Sequence, residues 1–434
     1  MKKLGTHRSI GRTAFGALTA LLAATALSGC GSQVGGTPAA GEVDVRKFPI
    51  GNFPTDPFDI RYSYQHNAVD GKQIALARLM DNVVIGADVD PKFGHNVTGL
   101  LMDSVNSAQA SRVLAGAVRP ALESNGMMFG FSAAASTREL PKSREVDQTD
   151  NFNPFGGALS DPEATAFNVT VLQFPDQQRA QAAADQMEAV DFAVAADQNV
   201  KVTLSKQPSA KAHWRPGVPS MAATMPYGQY VINVYVAQPK PDLDGLRELA
   251  DQVFAAQLPL LDQAPALSPH EIFRLDYDPD AMLRRTLHPK SVFEAKPIHE
   301  ATHTPRGHLH LIYDQTTWKR LLDDNGVDKI STASSGGLLF RARDADASAK
   351  LWSGIVATTS GSVEGPANVP DVSCVQNKVA LGDAWWGYYV GKTGFYVCTL
   401  RYDRYVARVA GDQLIEAQQA AAAQYALLAN SQYM

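Results

Sequence analysis

Alternating apolar and polar side chains mark the β segments of the chain. In the first half, residues 166–174 (AFNVTVLQF) and 229–237 (QYVINVYVA) alternate with the two-residue period of a strand. In the second half, residues 336–344 predict one strand, and residues 394–411 predict one or two strands around Tyr402. Both halves are therefore expected to contribute strands to a sheet.

Segments with helical periodicity lie between these strands. Residues 107–124 form a predicted helix that Gly126 ends, and Asp176 is the predicted N-cap of an Ala-rich helix. The amphipathic stretch 242–261 has acidic residues in its first turn, where they interact favourably with the helix dipole. A comparable helical segment follows Asp314 in the second half.

The second half of the chain repeats the first. ALESNG ends at Gly126 and LLDDNG ends at Gly326, at an offset of 200 residues. Residues 230–234 (YVINV) match residues 405–409 (YVARV) at an offset of 175. The offset shrinks because the first copy has extra polar, turn-rich sequence at about 137–162, which predicts an inserted surface loop. This order of matches indicates a tandem duplication.

The predicted fold class is α+β, with two tandem related domains. Each domain is expected to be a mainly antiparallel sheet with helices packed on one face. The chain of 434 residues is long enough for two domains. Pro and Ser cluster at 262–271, so the predicted domains are an N-terminal α+β domain, residues 45–262, and a C-terminal α+β domain, residues 263–434.

Residues 1–29 have the pattern of a secretory signal peptide. Basic residues precede an apolar run that is shorter than a membrane span. The run leads to Leu-Ser-Gly-Cys, which resembles the lipobox of bacterial lipoproteins; the resemblance implies cleavage before Cys30 and a diacylglycerol on its thiol. Residues 30–44 predict a flexible tether on the extracytoplasmic face of the cell membrane. A plain signal peptide with an unmodified Cys30 is the alternative.

Charge and cysteine content narrow the function classes. Removal of the signal leaves 35 basic and 44 acidic side chains, a net charge of −9, which does not favour nucleic acid as a partner. Cys374 and Cys398 then remain, and outside the cytoplasm such a pair predicts a disulfide. Closing a loop of about 25 residues stabilises a fold by about 3 kcal/mol. A redox-active pair is the alternative, although the C-x-x-C spacing is absent.

The segment HEATH matches the H-E-x-x-H signature of zinc metallopeptidases through His299, Glu300 and His303. In those enzymes both imidazoles lie on one face of a long helix and bind zinc, while the Glu polarises a water molecule. Here Pro297 and Pro305 bracket the motif and leave room for about two helical turns. This context does not favour the zinc-binding helix.

A third zinc ligand is not at the required spacing. Residues 307–314 (GHLHLIYD) alternate, which predicts a strand with His308 and His310 on one face. We therefore expect no metal centre, no cofactor and no catalytic residue. A fortuitous metal site built from His299, His303, His308 or His310 stays open as an alternative.

An aromatic cluster lies near the predicted disulfide and contains Trp385, Trp386, Tyr388 and Tyr389. Such residues commonly pack a sheet. Adjacent Trp385 and Trp386 cannot both face the core of an alternating strand, so one of them is a candidate for an exposed binding surface.

The chain resembles the uncharacterised two-domain lipoproteins of actinobacterial cell envelopes, which are defined by a domain of unknown function. The resemblance is carried by the lipobox at Cys30, RKFPIGNFPTDP (46–57), LARLMDNVVIGADVDP (76–91), LLDDNGVD (321–328) and the region of Cys374 and Cys398. It implies a location and an architecture, and supplies no catalytic residues. A fainter resemblance is to extracellular sensor domains of actinobacterial Ser/Thr kinases, which are also disulfide-bearing α+β modules.

Together these features predict a non-catalytic lipoprotein of the cell envelope. It is expected to bind or scaffold an envelope protein, a glycan or a lipid outside the membrane. Two alternatives remain: a zinc-dependent envelope hydrolase that uses HEATH, and a lipid carrier with a deep apolar cavity.

Overall fold

The computed structural model describes most of the chain after residue 42. The described ranges are 43–57, 64–96, 99–138, 163–288, 295–333, 337–378 and 392–432. Residues 45–434 belong to one compact unit. Within the described ranges, every helix is too short or too polar to cross a membrane.

The first half contains one antiparallel sheet, six α-helices and two short 3-10 helices, Val45–Lys47 and Gly116–Val118, within the described residues. Its strands are β1 (His95–Asn96), β2 (Leu100–Met102), β3 (Phe129–Ser136), β4 (Ala166–Gln173), β5 (Val200–Val202), β6 (Lys211–Trp214), β7 (Ser220–Tyr227) and β8 (Tyr230–Ala237). Its helices are α1 (Ala68–Met80), α2 (Gly86–Val89), α3 (Val105–Ala110), α4 (Arg119–Ser124), α5 (Gln177–Ala193) and α6 (Leu243–Asp262). Asp176 caps α5, as predicted, because its side chain accepts a hydrogen bond from the Arg179 amide.

A short helix, α7 (Pro269–Phe273), leads into the second half, which contains a second antiparallel sheet. Its strands are β9 (Ala301–His303), β10 (Lys329–Ala333), β11 (Gly337–Arg341), β12 (Ser362–Val363), β13 (Val372–Gln376), β14 (Tyr396–Tyr402) and β15 (Tyr405–Gly411). Its helices are α8 (Pro305–Leu309), α9 (Gln315–Asp324), α10 (Ala345–Ala357) and α11 (Leu414–Asn430).

The two sheets have the same strand order, which confirms the predicted α+β class. The first runs β1-β3-β4-β8-β7-β6-β5, and the second runs β9-β10-β11-β15-β14-β13-β12. The repeated ALESNG and LLDDNG segments end α4 and α9 in the same way. Gly126 and Gly326 both have positive φ, at 68° and 56°. Asn125 and Asn325 each donate a side-chain hydrogen bond to the carbonyl four residues earlier.

Helices cover both faces of each sheet, whereas the sequence predicted helices on one face. In the first sheet, α5 packs on the face that carries Leu172 and Val231, and α6 packs on the opposite face. In the second sheet, α10 packs on the face of Val406, and α11 packs on the face of Ala407. The alternation of apolar and polar residues is present, but the more polar face is also buried.

One hydrophobic core, which we call the shared core, contains the α6 face of the first sheet and the α10 face of the second. The other two faces have separate clusters, one with α5 and one with α11. The two copies therefore contribute unlike faces to one core, and the halves contact each other through α1, α2 and β1 on one side and β9, α8 and α9 on the other.

Two segments differ from their predicted secondary structure. Residues 107–124 were expected to form one helix, but they are broken between α3 and α4, where Arg112 has a φ of 56°. Pro120 stands in the first turn of α4, a position that proline tolerates and the helix interior does not. The predicted strand at 307–314 is instead the short helix α8 and a turn, because Thr304 caps a helix with Pro305 in its first turn.

Asn96 of the first half holds the chain that follows α8 in the second half. Its side-chain nitrogen lies 3.4, 2.9 and 3.1 Å from the carbonyl oxygens of Leu309, His310 and Ile312. These carbonyls lie at or just beyond the C-terminal end of α8, where carbonyl groups lack helical partners. Asn96 is 4% exposed, so water does not replace it.

We expect Asn96→Asp to lower the free energy of unfolding by about 2–4 kcal/mol, since a carboxylate would face carbonyl oxygens in a buried site. Urea unfolding at pH 7 measures the change. Asn106→Asp is the matched control, because Asn106 is exposed and only accepts a hydrogen bond from Arg119. A loss in Asn96→Asp no larger than that of the control would show that this contact does not stabilise the junction.

Candidate functional site

HEATH lies where the two halves meet, and it is not helical. Its first residues form a turn, and its last three form β9. His299 is exposed, whereas His303 is buried and its Nε2 lies 2.5 Å from the carbonyl oxygen of Pro297. The Nδ1 of His303 lies 3.4 Å from the carboxylate of Asp81 on the first half. The two imidazoles therefore do not share a helix face.

Glu300 is also held in structural contacts. Its carboxylate lies 3.3 Å from Nε2 of His288, and both side chains are about 5% exposed or less. Its backbone carbonyl accepts a hydrogen bond from the Tyr277 hydroxyl at 3.0 Å. Burial, followed by the charge of Glu300, raises the pKa of Tyr277 far above its ordinary value, so this hydroxyl stays protonated as a donor. Glu300 is therefore engaged as a link between HEATH and the preceding segment.

His308 and His310 are fully enclosed by the junction. The His308 ring packs edge-on against Phe340, and the His310 ring against Phe131 of the first half. Nε2 of His310 lies 3.1 Å from the carbonyl oxygen of Val83. Burial lowers the pKa of His308 to about 3 and that of His310 to about 4, so both rings are neutral near pH 7.

Among the described residues, no group of three or more His, Cys, Asp or Glu side chains is arranged to hold a metal ion. The four histidines considered as zinc ligands lie in different elements. His299 is in a surface turn, His303 is in β9, His308 is in α8, and His310 follows α8. His299 faces solvent, while His303, His308 and His310 are in the packed junction.

Beside HEATH lies a cleft of about 470 Å³, which we call the junction cleft. Its walls come from α1 of the first half, from the segment after α7, and from β9 and its preceding turn. Thr302 lines the cleft, and its hydroxyl is buried with no hydrogen-bond partner among the described residues. Concave sites between packed units are where small ligands most often bind.

Two guanidinium groups of the junction cleft have no ion pair to the described residues. Arg78 extends from α1, and Arg274 follows α7. Lys329 in the same cleft is instead paired with Asp280 at 2.9 Å. A second cavity of about 390 Å³ shares Arg78 and Lys329 with the first, so Arg78 lies where the two adjoin.

The predicted disulfide between Cys374 and Cys398 is present. The two residues are direct partners in neighbouring strands β13 and β14, and they are buried in the cluster with α11. Cys30 and the aromatic residues Trp385, Trp386, Tyr388 and Tyr389 lie outside the described residues.

Sequence reasoning did not single out Arg78, Arg274 or Thr302. They are far apart in the chain and come together only through packing of the two halves.

Comparison with known proteins identifies the domains but not an activity. The N-terminal model of the domain of unknown function DUF7373 matches residues 62–277, and its C-terminal model matches residues 282–431. No curated protein matches the chain. Among solved structures, the extracellular domain of PknH from Mycobacterium tuberculosis aligns at a TM-score of 0.25 and 14% identity, over 42% of this chain and 93% of that one.

The two enclosed histidines predict a loss of stability in acid. Their pKa values are lower in the folded chain than the ordinary value of about 6.5, so protonation favours unfolding as the pH falls below that value. We expect His308→Gln to reduce the loss of unfolding free energy between pH 7 and pH 5 by about 2 kcal/mol, as measured by urea unfolding at both pH values.

His270→Gln is the control for this measurement, because His270 is exposed and should leave the pH dependence unchanged. If His308→Gln has the same pH dependence as the unmodified chain, His308 is not held neutral by the fold. The test compares the change in unfolding free energy between pH 7 and pH 5. A loss of stability that is equal at both pH values therefore does not affect it.

Proposed function

We propose that this chain, which belongs to the DUF7373 family, is a non-catalytic binding protein anchored by lipid on the extracytoplasmic face of the membrane. In this proposal the junction cleft holds the ligand. The ligand carries a carboxylate or phosphate group that Arg78 and Arg274 recognise.

The unpaired guanidinium groups of the junction cleft are the observation that carries the proposal. Arg78 and Arg274 have no ion pair to the described residues, and guanidinium groups bind carboxylates and phosphates through paired hydrogen bonds. Carboxylates also line this cleft, but those of Asp81, Asp280 and Glu300 are already in contact with His303, Lys329 and His288. The Thr302 hydroxyl supplies a buried group that can donate or accept. Both halves of the duplicated chain are needed to form this cleft, which gives the duplication a role in binding.

The contacts of HEATH support a binding role over hydrolysis. Hydrolysis at a zinc centre needs two imidazoles directed at one ion and a glutamate free to polarise water. His299 is exposed while His303 is buried against Pro297, and the carboxylate of Glu300 lies against His288.

A lipid carrier is less well supported by the cleft. Acyl chains favour apolar walls, whereas the junction cleft has Arg78, Asp81, Lys296 and Lys329 among its lining residues. Envelope proteins and glycans that carry acidic groups remain within the proposed ligand class.

The extracytoplasmic location is supported by the disulfide and by the N-terminal sequence. A disulfide between Cys374 and Cys398 persists in oxidising compartments and is rare in the cytosol. The lipobox-like sequence at Cys30 fits the same location, and a diacylglycerol with two chains would hold the protein at the membrane.

Anion binding tests the junction cleft directly. We expect the full chain to bind citrate or inorganic phosphate saturably in isothermal titration calorimetry at low ionic strength. The double variant Arg78→Gln/Arg274→Gln should weaken this binding by about tenfold or more, because charged hydrogen bonds are lost. Arg119→Gln is the matched control, since Arg119 is an exposed arginine paired with Glu123 away from the cleft.

Four results would contradict the proposal. Failure of both anions to bind, or equal binding by the double variant, would remove the assigned role of the cleft. Stoichiometric zinc in the purified chain, lost in His303→Ala, would favour the hydrolase. A phospholipid or other lipid that copurifies in stoichiometric amount, identified by mass spectrometry, would favour the carrier.

Lipid anchoring has its own test. We expect Cys30→Ser to release the protein from the membrane fraction into the medium, because the thiol that would carry the acyl chains is absent. Fractionation and intact-mass measurement detect the release and the missing lipid mass. The matched variant Cys374→Ser should stay with the membrane, and a Cys30→Ser protein that also stays there would contradict the anchor.

A further inference from the structure

A row of polar side chains crosses the first sheet on its α5 face. The strand registers place Ser132, Thr170, Asn233 and Thr224 side by side on β3, β4, β8 and β7. All four are buried, at 8% exposure or less. Ser132 and Thr170 share a hydrogen bond at 2.8 Å, and Asn233 donates to Thr224 at 2.9 Å. The row is therefore polar and internally hydrogen-bonded, on a face that also packs against α5.

The row leads into an open cavity of about 370 Å³, which we call the polar pocket. It lies between α5, the broken segment 112–118 and strands β6 to β8. Thr224, Asn233 and Tyr235 line it from the sheet. Because the chain is broken between α3 and α4, residues of the segment 112–118 lie along the pocket.

Several groups in the polar pocket have no partner among the described residues. The carboxylate of Asp191 is half-buried and forms no hydrogen bond or ion pair there, and burial raises its pKa. The hydroxyl of half-buried Tyr235 is also unpaired within the described part of the chain. His213 is held at 3.0 Å from Glu188 through Nδ1, which leaves its Nε2 available.

In the second copy, the row equivalent to Ser132, Thr170, Asn233 and Thr224 lies in the shared core. The same registers place Thr332, Leu338, Arg408 and Thr399 in the equivalent row. Arg408 stands where Asn233 does, and its guanidinium lies 5.9 Å from the centre of the Trp318 ring. Both of these side chains are 8% exposed or less, so the equivalent position is filled by the protein itself.

The balance of charge around the polar pocket indicates the class of ligand. The carboxylate of Asp191 lines the polar pocket together with Arg112 and Arg215, and both arginines lack ion pairs to the described residues. Glu188 does not line the pocket and is bonded to His213. An anion would meet the carboxylate of Asp191, and a cation would meet the two guanidinium groups. A neutral ligand whose hydroxyls both donate and accept can satisfy both sets of groups.

We propose that the polar pocket binds a neutral saccharide, with sugar hydroxyls donating to Asp191 and bonding with Tyr235. A volume of about 370 Å³ is near the lower end for small-molecule sites, which suits a ligand of a few rings at most. This site is formed within the first half and does not use Arg78 or Arg274, so it does not depend on the proposed function of the junction cleft.

The test is a titration of the full chain with glucose, galactose, mannose, arabinose, maltose and lactose. Saturation-transfer NMR detects which sugar binds, and calorimetry measures its affinity. We expect at least one sugar to bind saturably. Asp191→Asn should weaken it by about tenfold, and Tyr235→Phe by about three- to tenfold, since each near-isosteric change removes one hydrogen-bonding group or its charge.

Asp197→Asn is the matched control, because Asp197 is an exposed carboxylate just after α5 that does not line the pocket. Circular dichroism and urea unfolding confirm that each variant is folded. Inorganic phosphate and putrescine serve as charged probes, with phosphate also tested on Arg78→Gln/Arg274→Gln to remove the junction cleft.

The proposal is overturned if none of the six sugars binds, or if sugar binding is unchanged in both Asp191→Asn and Tyr235→Phe. It is also overturned if phosphate or putrescine binding, rather than sugar binding, responds to Asp191→Asn. Loss of anion binding in the junction-cleft variant with sugar binding intact would separate the two sites.

Discussion

Each sheet of this protein is buried on both faces, so four faces are shielded from water. One helix-covered cluster shields the α5 face of the first sheet, and another shields the α11 face of the second. The remaining two faces meet in the shared core. Hydrophobic burial at about 25 cal/mol per Å² favours this sharing, because one continuous cluster shields both inner faces and the helices packed on them. Because unlike faces share this core, the α5 face lies outside it in the first copy, whereas its equivalent, the α10 face, lies inside it in the second.

The contacts between the two halves explain why HEATH matches the sequence of a zinc-binding motif but does not have its geometry. HEATH, α8 and α9 are segments of the second half that contact the first half. Across the junction, the carboxylate of Asp81 contacts the Thr304 amide and the His303 ring. The Asn96 side chain donates a hydrogen bond to the His310 carbonyl. Because buried polar groups must be hydrogen-bonded, histidine at 303 and 310 serves the junction by bonding to groups at fixed positions. The junction cleft remains where this packing is incomplete.

Local patterns in the sequence predicted much of the fold. The alternation in β4, the cap at Asp176 and the duplicated Asn-Gly helix ends all depend on neighbouring residues. The strand predicted at 307–314 was wrong because alternation in a short run competes with the Thr304-Pro305 helix start, which decides the outcome. The junction cleft could not be predicted, because Arg78 and Thr302 meet only after the halves have packed. The alternation in β4 also gave no sign that its polar face, with Asn168 and Thr170, would be buried.

The asymmetry of the stacking accounts for the difference between the two copies. In the first copy the α5 face points away from the shared core, so a cavity over Asn233 can open to solvent. In the second copy the equivalent α10 face is part of the shared core, and a cavity there would remove packing that joins the halves. Arg408 against Trp318 fills that position. In this duplicated chain one copy of the face therefore serves the shared core, and the other copy lies outside it.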